Sequence, residues 1–260
     1  FAENFPGAVI KQDRLYVDRR EDLSKPLEEL YRAYLENSLE RYQIGKEYAA
    51  GLHAFVNTGA RGAVAVKGQV IGPISFGLAS TDMSRRPLLY DDILADAIAK
   101  HLRLKAAWQE RLLRKISPQT IIFLDEPYLA SVGSAFVSIP QAQITNLLEE
   151  VLQGITGLKG IHCCGNTDWS ALLSTSIDIL SFDAYGYGES LSLYPADVKG
   201  FLDRGGIIAW GIVPNDPVSL AKETVSSLLE RLEHLLGALA SKGLPYDLLA
   251  SRCLITPSCG

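Results

Sequence analysis

Sulfur and imidazole are scarce in this chain: its 260 residues include four cysteines, one methionine and four histidines. So few cysteines cannot staple a chain of this length, which excludes the disulfide-built secreted class and leaves the thiols for metal or catalytic use. Positive charge is in deficit as well. With 25 Lys and Arg against 30 Asp and Glu, the net charge is −5. No basic field is available for a phosphate backbone or an anionic bilayer, so neither nucleic acid nor a membrane is expected as a partner. Apolar runs are short. Residues 206–213 form one, well under the roughly 18 residues a membrane helix needs. No charged-then-apolar leader opens the chain, so a cytoplasmic protein is expected. Met83 is the one methionine, so Phe1 is not an initiator residue, and no helix follows the apolar run 253–256 near the last residue. The chain therefore reads as truncated at one or both ends.

What is present is ordinary globular material, 47% hydrophobic and 21% charged. Short runs rich in Val, Ile and Leu alternate with longer amphipathic stretches, the pattern of strand and helix in turn and hence of a parallel sheet. Strands are expected at 63–71, 119–125, 158–163, 177–183, 206–213 and 253–256. Most are apolar at successive positions, as in strands covered on both faces. Asp216-Pro217 reads as the start of a helix whose face is marked by Leu228, Leu229, Leu232, Leu235, Leu236 and Leu239. Ser138 with Pro140 opens a second, running into Leu147, Leu148, Val151 and Leu152. Upstream, a hairpin around 12–13 precedes a long helical region over 21–60. No linker or repeat interrupts the chain. One α/β domain over 1–260 is expected, with hairpin and helix in 1–60 and a (β/α)8 barrel in 61–260, a size usual for that fold. An open doubly wound sheet is the competing architecture.

Either architecture puts function at the C-terminal ends of strands, and each expected strand ends in polar or turn residues. His162 and Cys164 are two apart at a strand end, so an extended backbone points both to one side. With Cys259 from another strand end they make one imidazole and two thiolates with an open position, the donor set of a reactive zinc centre. The alternative is that the cysteines pack and His162 is a hydrogen-bonded core residue. Cys163 points the other way and reads as structural, as do Cys253 and the helical His53, His101 and His234. Asp125 emerges from the apolar run 121–124, where a carboxylate is costly unless paired. It is expected to meet a substrate amine or another cation, or else to serve as a cap or ion-pair partner. Glu126 reads as structural. Asp183 could be a further zinc ligand, an acceptor for a histidine N–H or a cap. Residues 185–189 read as a flexible loop over the site.

Six segments, taken in order, resemble the catalytic domain of the cobalamin-independent methionine synthases. They are Gly72-Pro73-Ile74-Ser75, Leu124-Asp125-Glu126-Pro127, His162-x-Cys164, residues 179–183, Pro214-Asn215 and Thr256-Pro257-Ser258-Cys259-Gly260. They are also similar to the wider superfamily holding the methylcobalamin:coenzyme M methyltransferases and uroporphyrinogen decarboxylase. The resemblance runs from about residue 63 onward. It implies a (β/α)8 barrel, zinc on His162, Cys164 and Cys259, and an amino-acid thiol such as homocysteine held by its amine at Asp125. Ser75 and Asn215 fall in the same motifs on the substrate side. The family's fourth ligand is a Glu where this chain has Asp183.

The chain departs from the family on the folate side. Ala79, Ser131 and Ile212 stand where folate-dependent members carry Trp, Glu and His. A tetrahydrofolate nitrogen leaves only when protonated, so its displacement needs a general acid, whereas a methyl on cobalt leaves without one. The expected donor is therefore methylcobalamin, free or on a corrinoid carrier protein, rather than methyltetrahydrofolate. A metal-free decarboxylase-like enzyme and a metal- or corrinoid-binding module without turnover are the competing readings.

Overall fold

The structure, a computed structural model, describes residues 1–11, 14–58, 62–134 and 137–259. Two compact units divide the chain: Phe1–Glu126 with Ala142–Lys159, and Pro127–Gln141 with Gly160–Gly260.

In the first unit β1 (Ala8–Lys11) and β2 (Arg14–Val17) pair antiparallel, Ala8 opposite Val17. The turn expected at 12–13 lies outside the described residues. The long helix expected over 21–60 is broken, which corrects that reading, and residue 60 is not described. α1 (Ser24–Leu35) ends where Asn37 turns left-handed (φ +50°) and the Ser38 N–H folds back to the Ala33 carbonyl oxygen at 2.8 Å. A 3-10 turn at Glu40–Tyr42 intervenes before α2 (Ala50–Thr58). Leu30 and Leu39 lie on either side of the break and both enter the core, so apolar spacing carried no sign of it.

β3 (Val66–Ile71) leads through α3 (Pro73–Ala79), the short β4 (Thr81–Asp82), which pairs with β2, and α4 (Asp92–Leu113) into β5 (Thr120–Asp125). The Asp91 carboxylate caps α4 by accepting the Leu94 N–H at 3.0 Å. β3 and β5 are parallel, in register from Val66 opposite Thr120 to Ile71 opposite Asp125. α5 (Gln141–Leu152), almost all of it in this unit, buries Ile144, Leu147, Leu148, Val151 and Leu152 as its spacing predicts.

The second unit repeats strand and helix: β6 (Leu158–Cys163), α6 (Trp169–Leu173), β7 (Ile179–Phe182), α7 (Ala184–Leu191), α8 (Pro195–Asp203), β8 (Ile207–Val213), α9 (Pro217–Leu220), α10 (Val225–Ala240), α11 (Tyr246–Ser251) and β9 (Cys253–Pro257). Helical crossovers make the neighbours β6, β7, β8 and β9 parallel. Asp216 and Pro217 open only the four-residue α9. The leucine-striped α10 has its own start, a reciprocal cap between Thr224 and Ser227, and buries Leu232, Leu235, Leu236 and Leu239. All six expected strands are present, two in the first unit and four in the second. They are two short of the eight in a (β/α)8 barrel, so the mixed α/β, mainly parallel class stands and a full barrel is not shown by the described residues. No helix among them is long and apolar enough to cross a membrane.

Candidate metal centre

The C-terminal strand ends of the second unit carry the expected donors. His162 lies near the end of β6 and Cys164 just beyond it. Strand alternation turns these two to one side and Cys163 to the other. Cys163 is fully buried, its thiol donating to the Gly165 carbonyl oxygen at 3.5 Å.

Cys259 is brought in from β9. There β8 carries one extra residue, Ile212, between Gly211 opposite Thr256 and Val213 opposite Pro257. The Ser258 N–H then donates to the Val213 carbonyl oxygen at 2.8 Å. The Asn215 side-chain amide donates to the Cys259 carbonyl oxygen at 3.0 Å, and the Ser258 hydroxyl donates to Asn215 Oδ1 at 3.4 Å. Gly211 lets these backbones approach. A Cβ there would sit 2.9 Å from the Pro257 carbonyl oxygen and 2.8 Å from the Ser258 Cα, and would overlap the Phe182 carbonyl oxygen.

The result is one donor atom from each of His162, Cys164 and Cys259, all within 4.8 Å of one another and all half-buried. It is the one such group of His, Cys, Asp and Glu among the described residues. Two sulfurs on a tetrahedral zinc with bonds of about 2.3 Å stand about 3.8 Å apart, so closing on an ion asks for a shift of about 1 Å at most. An imidazole with two thiols is a set zinc accepts, and three protein ligands leave its fourth position open. Burial first, then neighbouring Cys259 and the Asp183 carboxylate, push the Cys164 thiol above its usual range. Crowding of this kind is relieved by a cation, which favours the thiolate outright.

Asp183 is not in this group. Its Oδ1 accepts the Gly186 N–H at 2.8 Å as the N-cap of α7. Residues 185–189, read as a flexible loop, are helical, which corrects that expectation. One partner of the histidine is Ser181, whose Oγ lies 3.0 Å from His162 Nδ1 across the β6–β7 pair. Ser181 was not singled out in the sequence. The available signal was a hydroxyl inside the wholly buried run 179–182.

The other expected site residues, Asp125 and Ser75, belong to the first unit. Asp125 ends β5, half-buried, and burial pushes its carboxyl up to about 6 against the opposing pull of Lys67. Ser75 is fully buried and faces Glu126, its hydroxyl donating to Oε2 at 2.6 Å and its N–H at 2.7 Å, while the Ile74 N–H donates to Oε1 at 2.9 Å. The Gly72-Pro73 turn thus opens α3 around an internal carboxylate. A Cβ on Gly72 would overlap that carboxyl group, so the glycine is required by close approach. Burial pushes Glu126 up to about 7 in spite of those three donors.

No protein-family model matches the sequence, and no curated protein matches it. Solved structures do resemble it in fold. A B12-independent methionine synthase from Shewanella sp., solved with selenomethionine, aligns with a TM-score of 0.50 at 19% identity over 79% of this chain and 59% of its own. A Listeria monocytogenes protein assigned as a vitamin B12-independent methionine synthase aligns with a TM-score of 0.54 at 15% identity, over 92% and 81%. The chain therefore spans about three fifths of the first structure. At these identities the likeness is one of fold.

These neighbours overturn the expected methylcobalamin donor, because both are described as independent of B12, and they lend no support to a corrinoid carrier protein. The departures at Ala79, Ser131 and Ile212 do not themselves call for cobalt. Two of these positions have structural duties of their own: Ile212 is 2% exposed in β8, and the Ser131 hydroxyl donates to the Tyr128 carbonyl oxygen at 2.7 Å.

Proposed function

We infer that the second unit holds a zinc ion on His162, Cys164 and Cys259 and that the protein is a thiol S-methyltransferase acting on homocysteine or a related small thiol. The observation that carries this reading is the convergence of one imidazole and two thiols within 4.8 Å at the ends of two parallel strands. Bound there, zinc would supply Lewis acidity at its open position, lowering the pKa of an entering thiol so that it ionises near neutral pH. The chain's own residues do the rest. Cys164 and Cys259 supply the negative charge that keeps the centre electron-rich, His162 completes the set as a neutral donor, and Asn215 and Ser258 fix where Cys259 stands. The ordered environment of the two sulfurs also argues against the metal-free decarboxylase-like reading, which has no use for them. Within the first unit, Asp125 would offer its carboxylate to an ammonium group.

The test needs no methyl donor. Zinc-loaded protein should bind homocysteine with release of about one proton from its thiol, read by calorimetry in buffers of different ionisation enthalpy. Cys164→Ser and Cys259→Ser should lose both zinc and proton release, and Cys163→Ser should keep both. Wild-type protein that takes up no zinc from a stoichiometric solution would overturn the reading.

A further inference from the structure

We propose that Ser181 is the positioning residue of the metal centre, its hydroxyl accepting the Nδ1–H of His162 and thereby fixing the tautomer that turns Nε2 toward the metal. The inference rests on the zinc reading above and adds to it which nitrogen binds and what holds it.

β7 is a four-residue strand with every residue buried: Ile179, Leu180, Ser181 and Phe182. Phe182 packs edge-on against Trp169, with ring centroids 5.1 Å apart, and lies 5.4 Å from the Trp210 ring. A hydroxyl in such a strand loses its water and is tolerated only when it finds a hydrogen-bonding partner. The parallel register supplies one. Ser181 stands opposite His162 on β6, with the small Ala209 opposite it on β8. The side chains meet at 3.0 Å between Oγ and Nδ1.

The tautomer follows from the pairing. A neutral imidazole carries one N–H, and the nitrogen that keeps it is set by the hydrogen bond it makes. An acceptor at Nδ1 keeps the proton there and leaves the Nε2 lone pair for a metal. Without that acceptor the proton is free to reside on Nε2, and binding at Nε2 must first displace it. Metal-bound histidines generally hand their second N–H to a carboxylate, a carbonyl oxygen or water. Here the acceptor is a neutral hydroxyl, which orients the ring without adding charge to a site that already has two thiolates.

The experiment compares wild type, Ser181→Ala and Ser181→Thr, the last retaining the hydroxyl on a β-branched side chain suited to a strand. In metal-free, 15N-labelled protein, two-bond proton–nitrogen correlations report which ring nitrogen of His162 bears the proton. The expected result is Nδ1–H in wild type and Ser181→Thr, and a shift toward Nε2–H in Ser181→Ala. Zinc affinity, read by competition with a chromophoric chelator, should fall roughly tenfold in Ser181→Ala and recover in Ser181→Thr. Circular dichroism and thermal unfolding would show that each variant is folded. An Nε2–H tautomer in the wild type, or an unchanged tautomer and unchanged affinity in folded Ser181→Ala, would overturn the proposal. The two readings fail separately. A protein that binds no zinc yet loses its Nδ1–H on Ser181→Ala refutes the proposed function and upholds the positioning of His162 by Ser181.

Discussion

Asn215 donates its side-chain amide to the carbonyl oxygen of Cys259, 3.0 Å away, so the peptide bearing one candidate metal sulfur is held from the turn that follows the neighbouring strand. Strand β9 ends two residues earlier, at Pro257, so this clasp fixes the Cys259 peptide beyond the reach of the sheet pairing. Asn215→Ala should therefore weaken zinc binding roughly tenfold with little change in thermal stability, because Asn215 is exposed. Chelator competition measures it. Asn215→Asp, which removes the amide donor while keeping the shape, should resemble Ala; a variant binding zinc as tightly as wild type would show that Cys259 is placed by its strand alone.

Gly211→Ala should damage the same site by a different route. The added methyl group meets the Phe182 carbonyl oxygen and the Pro257–Ser258 backbone, and backbone cannot step aside as a flexible side chain can. We expect a loss of about 1–3 kcal/mol in stability and a larger fall in zinc affinity than Asn215→Ala gives, since Cys259 moves with Ser258. Urea unfolding and chelator competition on one preparation check both. A stability loss with zinc affinity intact would mean that the strain relaxes toward β7.

The parts legible in the sequence were those fixed by local pattern. β5, β7 and β8 showed as apolar runs because most of their residues are buried, and His162 with Cys164 showed as a pair because a two-residue spacing puts both side chains on one side of a strand end. What stayed hidden depends on residues far apart or on single backbone angles. Ser181 meets His162 only through the β6–β7 register, Glu126 meets the Gly72 turn across more than fifty residues, and the break after α1 turns on the left-handed Asn37 inside an unbroken leucine rhythm. The methyl donor was not legible for another reason: Ile212 is buried in β8, and the lack of an acid there does not by itself name the donor.

Glu126 should make stability fall as pH rises. Its carboxyl is raised from 4.5 to about 7, chiefly by burial, so between those values the unfolded chain has lost a proton that the folded chain keeps. The unfolded state then binds fewer protons, and the stabilisation, full below about pH 4.5, is lost by about pH 7. The contribution is on the order of 3 kcal/mol. Urea midpoints at pH 5 and pH 7.5 should differ more for wild type than for Glu126→Gln, which cannot titrate. Equal differences would show that Glu126 is already ionised in the fold.

Asp125 gives the acceptor side its own pH signature. Burial raises its carboxyl from 3.8 to about 6, with Lys67 pulling the other way, so at pH 5 the group is largely protonated and cannot pair with an ammonium ion, while at pH 7.5 it is ionised and can. Affinity of the protein for an amino-acid thiol such as homocysteine should therefore rise from pH 5 to pH 7.5 beyond the change due to thiol ionisation. The same thiol lacking the amine serves as the internal reference, because it shares the thiol chemistry and has nothing to offer Asp125. Asp125→Asn should remove the difference between the two ligands, weaken the amine-bearing one by roughly 1.5–3 kcal/mol at pH 7.5 and leave zinc content unchanged. Titration calorimetry of both ligands at both pH values measures all three effects. If the variant lost zinc, Asp125 would belong to the metal centre; if the two thiols bound alike in wild type at pH 7.5, it would have no part in recognising the acceptor.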